Sequence, residues 1–234
     1  DWSSDVCSSD LDLNQQYMDF ALAAQQITEE VMFRMADTAQ KLTGSRYMTM
    51  AGGVALNCVA NGKLLRRGTF QNIWIQPAAG DAGGAVGAAC AAWYIGKGRE
   101  RKINLGQDAM SGAYLGPVYG AAEIQKTAQR YKAPYHHYDD FEQLCKDVAE
   151  LIDQGCVIGW LQGRMEYGPR ALGNRSILGS PCKPDMQKKL NLKIKYREGF
   201  RPFAPAVMEE EIGTYFDLDR PSPYMLLVAP VRVD

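Results

Sequence analysis

The sequence has few histidines, no regular cysteine spacing and no long apolar run. It contains six cysteines and two histidines in 234 residues. Without a Cys-x-x-Cys pair, the cysteines are interpreted as reduced and mostly buried, which fits the cytosol. Nothing resembles a signal peptide, and no apolar run approaches the roughly 20 residues of a membrane helix. We therefore expect a cytoplasmic protein, and its 46% hydrophobic content is enough for a globular core.

The two histidines offer no catalytic pattern. His136 and His137 stand side by side in a predicted aromatic strand, Pro134 to Tyr138. Neighbouring strand residues point to opposite faces, so ordinary packing and surface roles are favoured over catalysis. The sequence contains no candidate nucleophile of the Ser-His type.

Positive charge is concentrated between positions 163 and 203. The chain has a formal net charge of −1, yet this stretch holds ten basic and three acidic residues. Half of the basic residues are arginines set among Gly, Pro, Asn and Ser, and a guanidinium matches phosphate or carboxylate oxygens better than an ammonium does. A nucleic-acid surface would more often carry basic residues along one helix face with aromatics. The pattern predicts a small polyanionic ligand, although a solvated helix face is an equal alternative for Lys188 and Lys189.

The same stretch carries a family resemblance. The runs Gly-Arg-Met-Glu-Tyr-Gly-Pro-Arg-Ala-Leu-Gly-Asn-Arg-Ser-Ile-Leu and Lys-Tyr-Arg-Glu-Gly-Phe-Arg-Pro-Phe-Ala-Pro resemble the signature of the NodU/CmcH/TobZ-type O-carbamoyltransferases, in their C-terminal YrdC-like domain. The resemblance implies that carbamoyl phosphate and ATP form carbamoyl-adenylate. The carbamoyl group then passes to a hydroxyl of a sugar, nodulation-factor or antibiotic-type acceptor.

The basic side chains suit that chemistry, because preorganised cations stabilise the charge gathered at the α-phosphate of ATP. To the phosphates and the carbamoyl oxygen we assign Arg164, Arg170, Arg175, Lys195, Arg197 and Arg201. Asn174 and Ser176 are expected to give hydrogen-bonding support. Glu198 is expected to orient an arginine, and Tyr167 to line the pocket.

The first half of the chain alternates strands, glycine turns and helices. A long amphipathic helix from Leu13 to Leu42 is predicted, with its apolar positions at Phe20, Ala24, Ile27, Val31 and Met35. Strand 47–51 and helix 58–67 form one unit, and strand 72–76 and an Ala/Gly-rich helix, 83–95, form a second. That helix is predicted to pack on the long one. Two such units resemble the nucleotide-binding half of the actin/Hsp70 fold, and the residues expected to cradle phosphates are Gly52, Gly53, Asn57, Gly80 and Gly83.

Asp81 is the acidic residue within these glycine loops. A carboxylate beside nucleotide phosphates is most useful as a metal ligand, and helix N-capping is its structural alternative. The first domain of this family resembles the universal tRNA threonylcarbamoyladenosine transferase, in which the Asp of this loop shares a metal with a His-x-x-x-His segment. The resemblance implies a divalent metal at Asp81, either iron or magnesium. His136 and His137 cannot reproduce that spacing, so the histidine ligands are expected upstream.

The predicted organisation is α/β, with two truncated domains. Residues 1–11 resemble a sequencing-library adapter translated in frame and are predicted to be an artefact. Residues 12–105 would end an actin/Hsp70-like (ASKHA) metal- and nucleotide-binding domain, and 106–118 form a linker. Residues 119–234 would begin the YrdC-like α/β domain, with helices 121–131 and 140–154 and strands 156–161 and 224–228.

Several alternatives remain open. A threonylcarbamoyl-type tRNA-modifying transferase is the nearest, and a non-catalytic nucleotide-binding module or a basic nucleic-acid-binding domain would be of another class. The expected partners are carbamoyl phosphate, ATP and a small hydroxylated acceptor, and a homodimer is one oligomeric state to test. Neither a membrane nor nucleic acid is expected as a partner.

Overall fold

The computed structural model describes residues 14–104 and 108–233. The proposed adapter segment, 1–11, and the end of the first predicted domain at 105 lie outside the described residues. The described chain is mixed α/β. In order, its elements are α1 (Gln15–Thr43), β1 (Tyr47–Met50), α2 (Cys58–Arg67), β2 (Asn72–Ile75), α3 (Asp81–Ala91), α4 (Ala121–Arg130), α5 (Phe141–Asp153), β3 (Ile158–Leu161), β4 (Arg175–Leu178), α6 (Met186–Lys189) and α7 (Ile212–Tyr215).

The contacts divide the chain into two compact units. The first contains the described residues up to 102 and from 206 onward, and the second contains the described residues between 103 and 205. In the first unit, β1 and β2 are parallel, with Tyr47 opposite Asn72 and Met50 opposite Ile75. The two strand–turn–helix units predicted from the sequence are therefore confirmed at the level of secondary structure.

Helix α1 has the predicted length because both of its ends are capped. The side chain of Asn14 accepts the N–H of Tyr17, and Gly44 ends the helix with a φ of 62°. The predicted apolar face was wrong, since Phe20, Ile27 and Met35 are each at least 65% exposed. The face with Met32, Ala36 and Glu29 is buried instead, because polar contacts with α2 hold that side of the helix.

Helix α3 does not have the predicted packing. None of its residues is buried, although Ala and Gly dominate its sequence. Such small side chains offer little apolar area, so burial adds little stability at any one position. Beyond α3 the chain forms a π-helical turn over Ala92–Gly96, which is also exposed.

The segment after position 205 packs in the first unit. The buried side chain of Asn61 donates to the carbonyls of Ala55 and Leu226 at 2.8 and 3.1 Å. The N–H of Val228 donates to the carbonyl of Cys58 at 3.2 Å. These bonds replace strand pairing, and the strand predicted at 224–228 was wrong. The contacts group these residues with the first unit, whereas the sequence prediction assigned them to the second domain. The predicted limits of the two domains stay predictions.

The second unit contains an antiparallel pair. Strand β3 pairs with β4, with Ile158 opposite Leu178 and Leu161 opposite Arg175. Helices α4 and α5 confirm two of the predicted helices, whereas β4 was not predicted. Residues 133–138 form no strand, and both histidines are exposed. His136 stacks edge-on to Tyr138, which agrees with the expected surface role.

The cysteines are free, as predicted, but they are not mostly buried. Among the described residues, Cys90, Cys145 and Cys182 are exposed, and Cys58 and Cys156 are partly exposed. The remaining one, Cys7, lies outside the described residues. Within the described ranges, no helix combines the length and the apolar character needed to cross a membrane.

Candidate functional site

A cavity of about 760 Å³ lies where the two parallel strands of the first unit end. Loops at the carboxyl ends of parallel strands meet at one edge of a sheet, and here a bond of 2.7 Å from the Gly52 N–H to the Ala79 carbonyl joins them. Trp74 and Thr49, on the exposed face of the strands, add to the lining. Four of the five predicted phosphate-binding residues also line the cavity, namely Gly52, Gly53, Gly80 and Gly83.

Asn57 has a different place. Its side chain accepts the N–H of Ala60 at 3.1 Å and so caps α2. It also exchanges two hydrogen bonds with Gln25, at 2.8 and 3.3 Å. Asn57 is not one of the described residues that line the cavity, so it supports the loop from the side away from the cavity.

A polar network that the sequence analysis missed continues from Asn57. Gln25 donates to Glu29 at 2.8 Å, and the ammonium of Lys63 contacts both Glu29 oxygens at 2.8 and 2.6 Å. Hydrogen bonds from Lys63 and Gln25 hold the pKa of Glu29 below its ordinary value. The sequence does contain an indication of this network. An acidic residue beside the apolar positions of an amphipathic helix needs a polar partner when it is buried.

Asp81 is the first residue of α3, and it is exposed beside the cavity. The N-cap position belongs to Gly80, so the N-capping interpretation does not describe Asp81. Within the described residues, no three His, Cys, Asp or Glu side chains gather in a metal-binding group. One exposed carboxylate does not make a divalent metal site, so the residues described do not fit a metal by themselves.

The loop between β3 and β4 carries Arg164 and Arg170, and Arg175 follows it as the first residue of β4. The loop is held to the start of the second unit, because the N–H of Gly116 donates to the Met165 carbonyl at 2.9 Å. Across the loop, Asn174 donates to the Arg164 carbonyl at 2.7 Å. Asn174 therefore fixes the shape of this loop, and its predicted support of the substrate stays a prediction.

Further bonds fix the C-terminal half of this loop. The hydroxyl of Ser176 accepts the N–H of Gly173 at 3.0 Å, and the Leu172 carbonyl accepts the hydroxyl of Tyr114 at 2.9 Å. Tyr167 is half-buried, and its N–H donates to the Ala113 carbonyl at 2.6 Å. Tyr167 in the loop and Ser176 in β4 therefore belong to the same hydrogen-bonded region as the arginines.

Glu166 lies at the centre of this loop. Its side chain has no exposed surface, and Oε1 accepts the N–H groups of Leu172, Asn174 and Arg175 at 2.6, 2.8 and 3.4 Å. Burial acts to raise the pKa of Glu166, but these backbone hydrogen bonds outweigh it and the pKa is lowered. The sequence analysis had counted Glu166 only as one of three acidic residues in a basic stretch.

The second arginine block is organised around a buried asparagine. Asn191 donates to the carbonyls of Gly199 and Arg201 at 3.3 and 2.8 Å, and its Oδ1 accepts Nε of Arg197 at 2.7 Å. The Arg197 guanidinium also lies 5.0 Å from the ring centre of Phe203. Asn191 has no exposed surface, and it was not among the predicted site residues.

Glu198 contacts an arginine, as expected. Nε of Arg201 donates to it at 2.8 Å, and this bond lowers the pKa of the Glu198 carboxyl. Lys195 is exposed and follows a π-helical turn, Leu190–Ile194. Tyr196 then takes a left-handed φ of 48° and is 85% exposed. This conformation is sparsely populated for a bulky residue, and it directs the chain from Lys195 into the arginine block.

Comparison with known proteins adds the family. Residues 6–90 match the model of the carbamoyltransferase N-terminus, and residues 149–234 match that of the carbamoyltransferase C-terminus. The two matches contain the glycine loops and the two arginine blocks, respectively.

Three relatives illustrate the match. An uncharacterized protein of Synechocystis is 54% identical over 222 residues, covering 94% of this chain and 36% of the relative. Nodulation protein NolNO of Sinorhizobium fredii is 39% identical over 237 residues, covering 98% and 34%. Nodulation protein U of Rhizobium fredii is 35% identical over 185 residues, covering 79% and 29%. The chain thus spans about a third of the length of these curated relatives, and it belongs to the carbamoyltransferase family.

Proposed function

We propose that the whole protein is an ATP-dependent O-carbamoyltransferase that forms carbamoyl-adenylate in the second unit. The observation that carries this proposal is the pair of hydrogen-bonded arginine blocks within the region that matches the carbamoyltransferase C-terminus. Under this proposal the second unit is YrdC-like and the first unit is the end of an actin/Hsp70-like domain. We also propose a cytoplasmic location, in keeping with the cysteine pattern.

The first reaction consumes carbamoyl phosphate, ATP and one water molecule. Water releases phosphate from carbamoyl phosphate and leaves carbamate. A carbamate oxygen attacks the α-phosphorus of ATP, the bond from that phosphorus to the bridging oxygen breaks, and pyrophosphate leaves. The acceptor hydroxyl then attacks the carbamoyl carbon, its proton is lost, and AMP is the leaving group.

The arginines would act by stabilising negative charge. Arg197 and Arg201 are each fixed through Nε, to Asn191 and Glu198, and we assign their Nη groups to phosphate oxygens. Fixed donors need no reorganisation when charge develops at the α-phosphorus, which is the main advantage of such a site over water. Arg164, Arg170 and Lys195 are assigned to the same anionic substrates.

The cavity of the first unit is proposed as a nucleotide- or intermediate-binding site. Its glycine lining permits close approach of backbone N–H groups to phosphates, and α3 begins at its edge. Asp81 stays a single candidate ligand for a divalent metal, and no step described above depends on it. The acceptor is proposed only by class, as a small molecule with a hydroxyl group.

The test measures pyrophosphate release from ATP by the whole protein, with and without carbamoyl phosphate. Arg170→Ala and Arg197→Ala probe one block each, and Arg130→Ala is the matched control because this arginine is exposed on α4. We expect release that requires carbamoyl phosphate and falls about 100-fold or more in the first two variants. Release that is independent of carbamoyl phosphate, or equal in all three variants, would contradict the proposal. A tRNA substrate in place of the small acceptor would then be examined.

A further inference from the structure

We propose that Glu166 is a positioning residue, whose buried negative charge holds the loop from Arg164 to Arg175 in the shape that binds the anionic substrate. This inference rests on the proposed function. It concerns a residue that was not assigned to the site, and it gives the carboxylate a role without contact to substrate.

Several backbone donors converge on one carboxylate oxygen of Glu166. Oε1 accepts the backbone N–H groups of Leu172, Asn174 and Arg175, each within 3.4 Å. Successive backbone N–H groups in a turn form a concave anion-binding site, often for phosphate. In this loop the protein's own carboxylate occupies that concavity, so the conformation of residues 172–175 depends on a charge at position 166.

The other carboxylate oxygen of Glu166 faces the guanidinium of Arg175. Oε2 is buried and accepts no hydrogen bond among the described residues, but it lies 3.5 Å from Nε of Arg175. The Nη2 group of Arg175 donates to the Gly168 carbonyl at 2.7 Å. The Arg175 guanidinium is therefore held at two points by the preceding loop. Arg175 thus clamps this loop, and its predicted role as a substrate ligand stays a prediction.

The charge of Glu166 is kept away from the proposed ligand. A carboxylate beside bound phosphates would repel them if it faced the ligand, whereas Glu166 is enclosed and paired with a guanidinium. Replacing it with neutral glutamine keeps the volume but changes the bonding. The amide oxygen can still accept the three backbone N–H groups, but the NH₂ group would take the place of Oε2 and face the Nε–H of Arg175, so that two donors meet with no acceptor between them. The loop would then shift, and the arginines with it.

The experiment compares Glu166→Gln with Glu150→Gln in the whole protein. Glu150 is an exposed glutamate on α5 of the same unit, so its variant removes one charge without disturbing the loop. Carbamoyl phosphate and ATP are the probes, and pyrophosphate release is measured per correctly folded molecule. We expect kcat/KM to fall about 100-fold in Glu166→Gln, since small misplacement of positioning groups has effects of this order, and to stay within about twofold in the control.

A double-mutant cycle separates positioning from simple destabilisation. Arg175→Gln and the double variant Glu166→Gln/Arg175→Gln are measured for kcat/KM and for unfolding midpoint. If Glu166 acts through the clamp, the double variant loses no more kcat/KM than the more impaired single variant. Fully additive losses, or a loss that only follows the folded fraction, would overturn the proposal.

Glu166→Asp covers the case in which the glutamine variant does not fold. It keeps the charge and withdraws the carboxylate by one methylene, so we expect a folded protein with a raised KM for carbamoyl phosphate or ATP. Wild-type kinetics for Glu166→Asp would overturn the positioning role. An unmodified protein that releases no pyrophosphate would instead contradict the proposed function, so the two failures are distinguishable.

Discussion

Two adjacent glycines in the first turn of α3 allow a sharp test of the cavity. A Cβ added at Gly83 would lie 2.2 Å from the carbonyl oxygen of Ala78 and 3.2 Å from its carbonyl carbon, whereas a Cβ at Gly84 would meet nothing within 4 Å. Both glycines line the cavity. Gly83→Ala must therefore move the loop that precedes the helix, while Gly84→Ala leaves it in place.

The two variants are compared by their free energies of unfolding, and the gain in helix propensity is common to both, so it cancels in the difference. Replacing a helical glycine with alanine favours the helix by up to about 1 kcal/mol at either position. Forcing a methyl group into occupied space costs about 1–3 kcal/mol, and only Gly83→Ala has this cost. Gly84→Ala should thus exceed Gly83→Ala in free energy of unfolding by about 1–3 kcal/mol.

The assay is denaturant unfolding of the two variants in the whole protein, followed by AMP release from added carbamoyl-adenylate in the presence of a small hydroxylated acceptor. We expect the less stable variant also to have the higher KM for carbamoyl-adenylate if the cavity binds this nucleotide intermediate. Equal stabilities of the two variants would refute the close approach of α3 to the Ala78 carbonyl. Unequal stabilities with equal kinetics would refute only the nucleotide assignment.

Two further predictions concern the packing of the first unit. A Cβ at Gly62 would lie 2.2 Å from the Val228 carbonyl oxygen, so Gly62→Ala should lower the free energy of unfolding by about 1–3 kcal/mol. The measurement is denaturant unfolding. An unchanged free energy of unfolding would show that the segment around Val228 does not pack on α2. The pKa of Glu29 is lowered in the folded state. The Glu29–Lys63 pair therefore stabilises the protein at a pH above the ordinary carboxyl pKa. This stabilisation is lost as the pH falls through the pKa that Glu29 has in the folded protein. Lys63→Met should therefore lower the free energy of unfolding at pH 7 by about 1–3 kcal/mol, which is less than for a fully buried pair because the lysine is half-exposed. The variant should also show a smaller loss of stability as the pH falls below the ordinary carboxyl pKa. An unchanged acid dependence would contradict the pairing.

Much of the local structure could be predicted because caps and periodicity act within one segment. Asn57 before α2 and Gly68 after it define a helix whose two ends are visible in the sequence. Strand β4 was missed because all four of its residues, Arg175–Leu178, are partly exposed and show no alternation. The apolar run from Tyr224 was taken for a strand because composition cannot distinguish strand pairing from bonds to a helix.

The candidate site was predictable in its residue types but not in its connections. The arginines and glycines stand out from charge and composition, and their grouping into loops follows from the chain order. Glu166 and Asn191 act through backbone groups between six and ten residues away, and nothing in their spacing indicates this. Its place as the one acidic residue between Arg164 and Arg175 is the signal that could have singled out Glu166, and the sequence prediction did not use it.

The central claim is that the arginine blocks serve the formation of a carbamoyl-adenylate. The most direct measurement incubates the whole protein with ATP and carbon-labelled carbamoyl phosphate, without acceptor, and quantifies labelled carbamoyl-AMP by mass spectrometry. We predict labelled adenylate in an amount equal to the pyrophosphate released, lost in Arg197→Ala and retained in Arg130→Ala. Pyrophosphate without labelled adenylate, or equal label in both variants, would contradict the account.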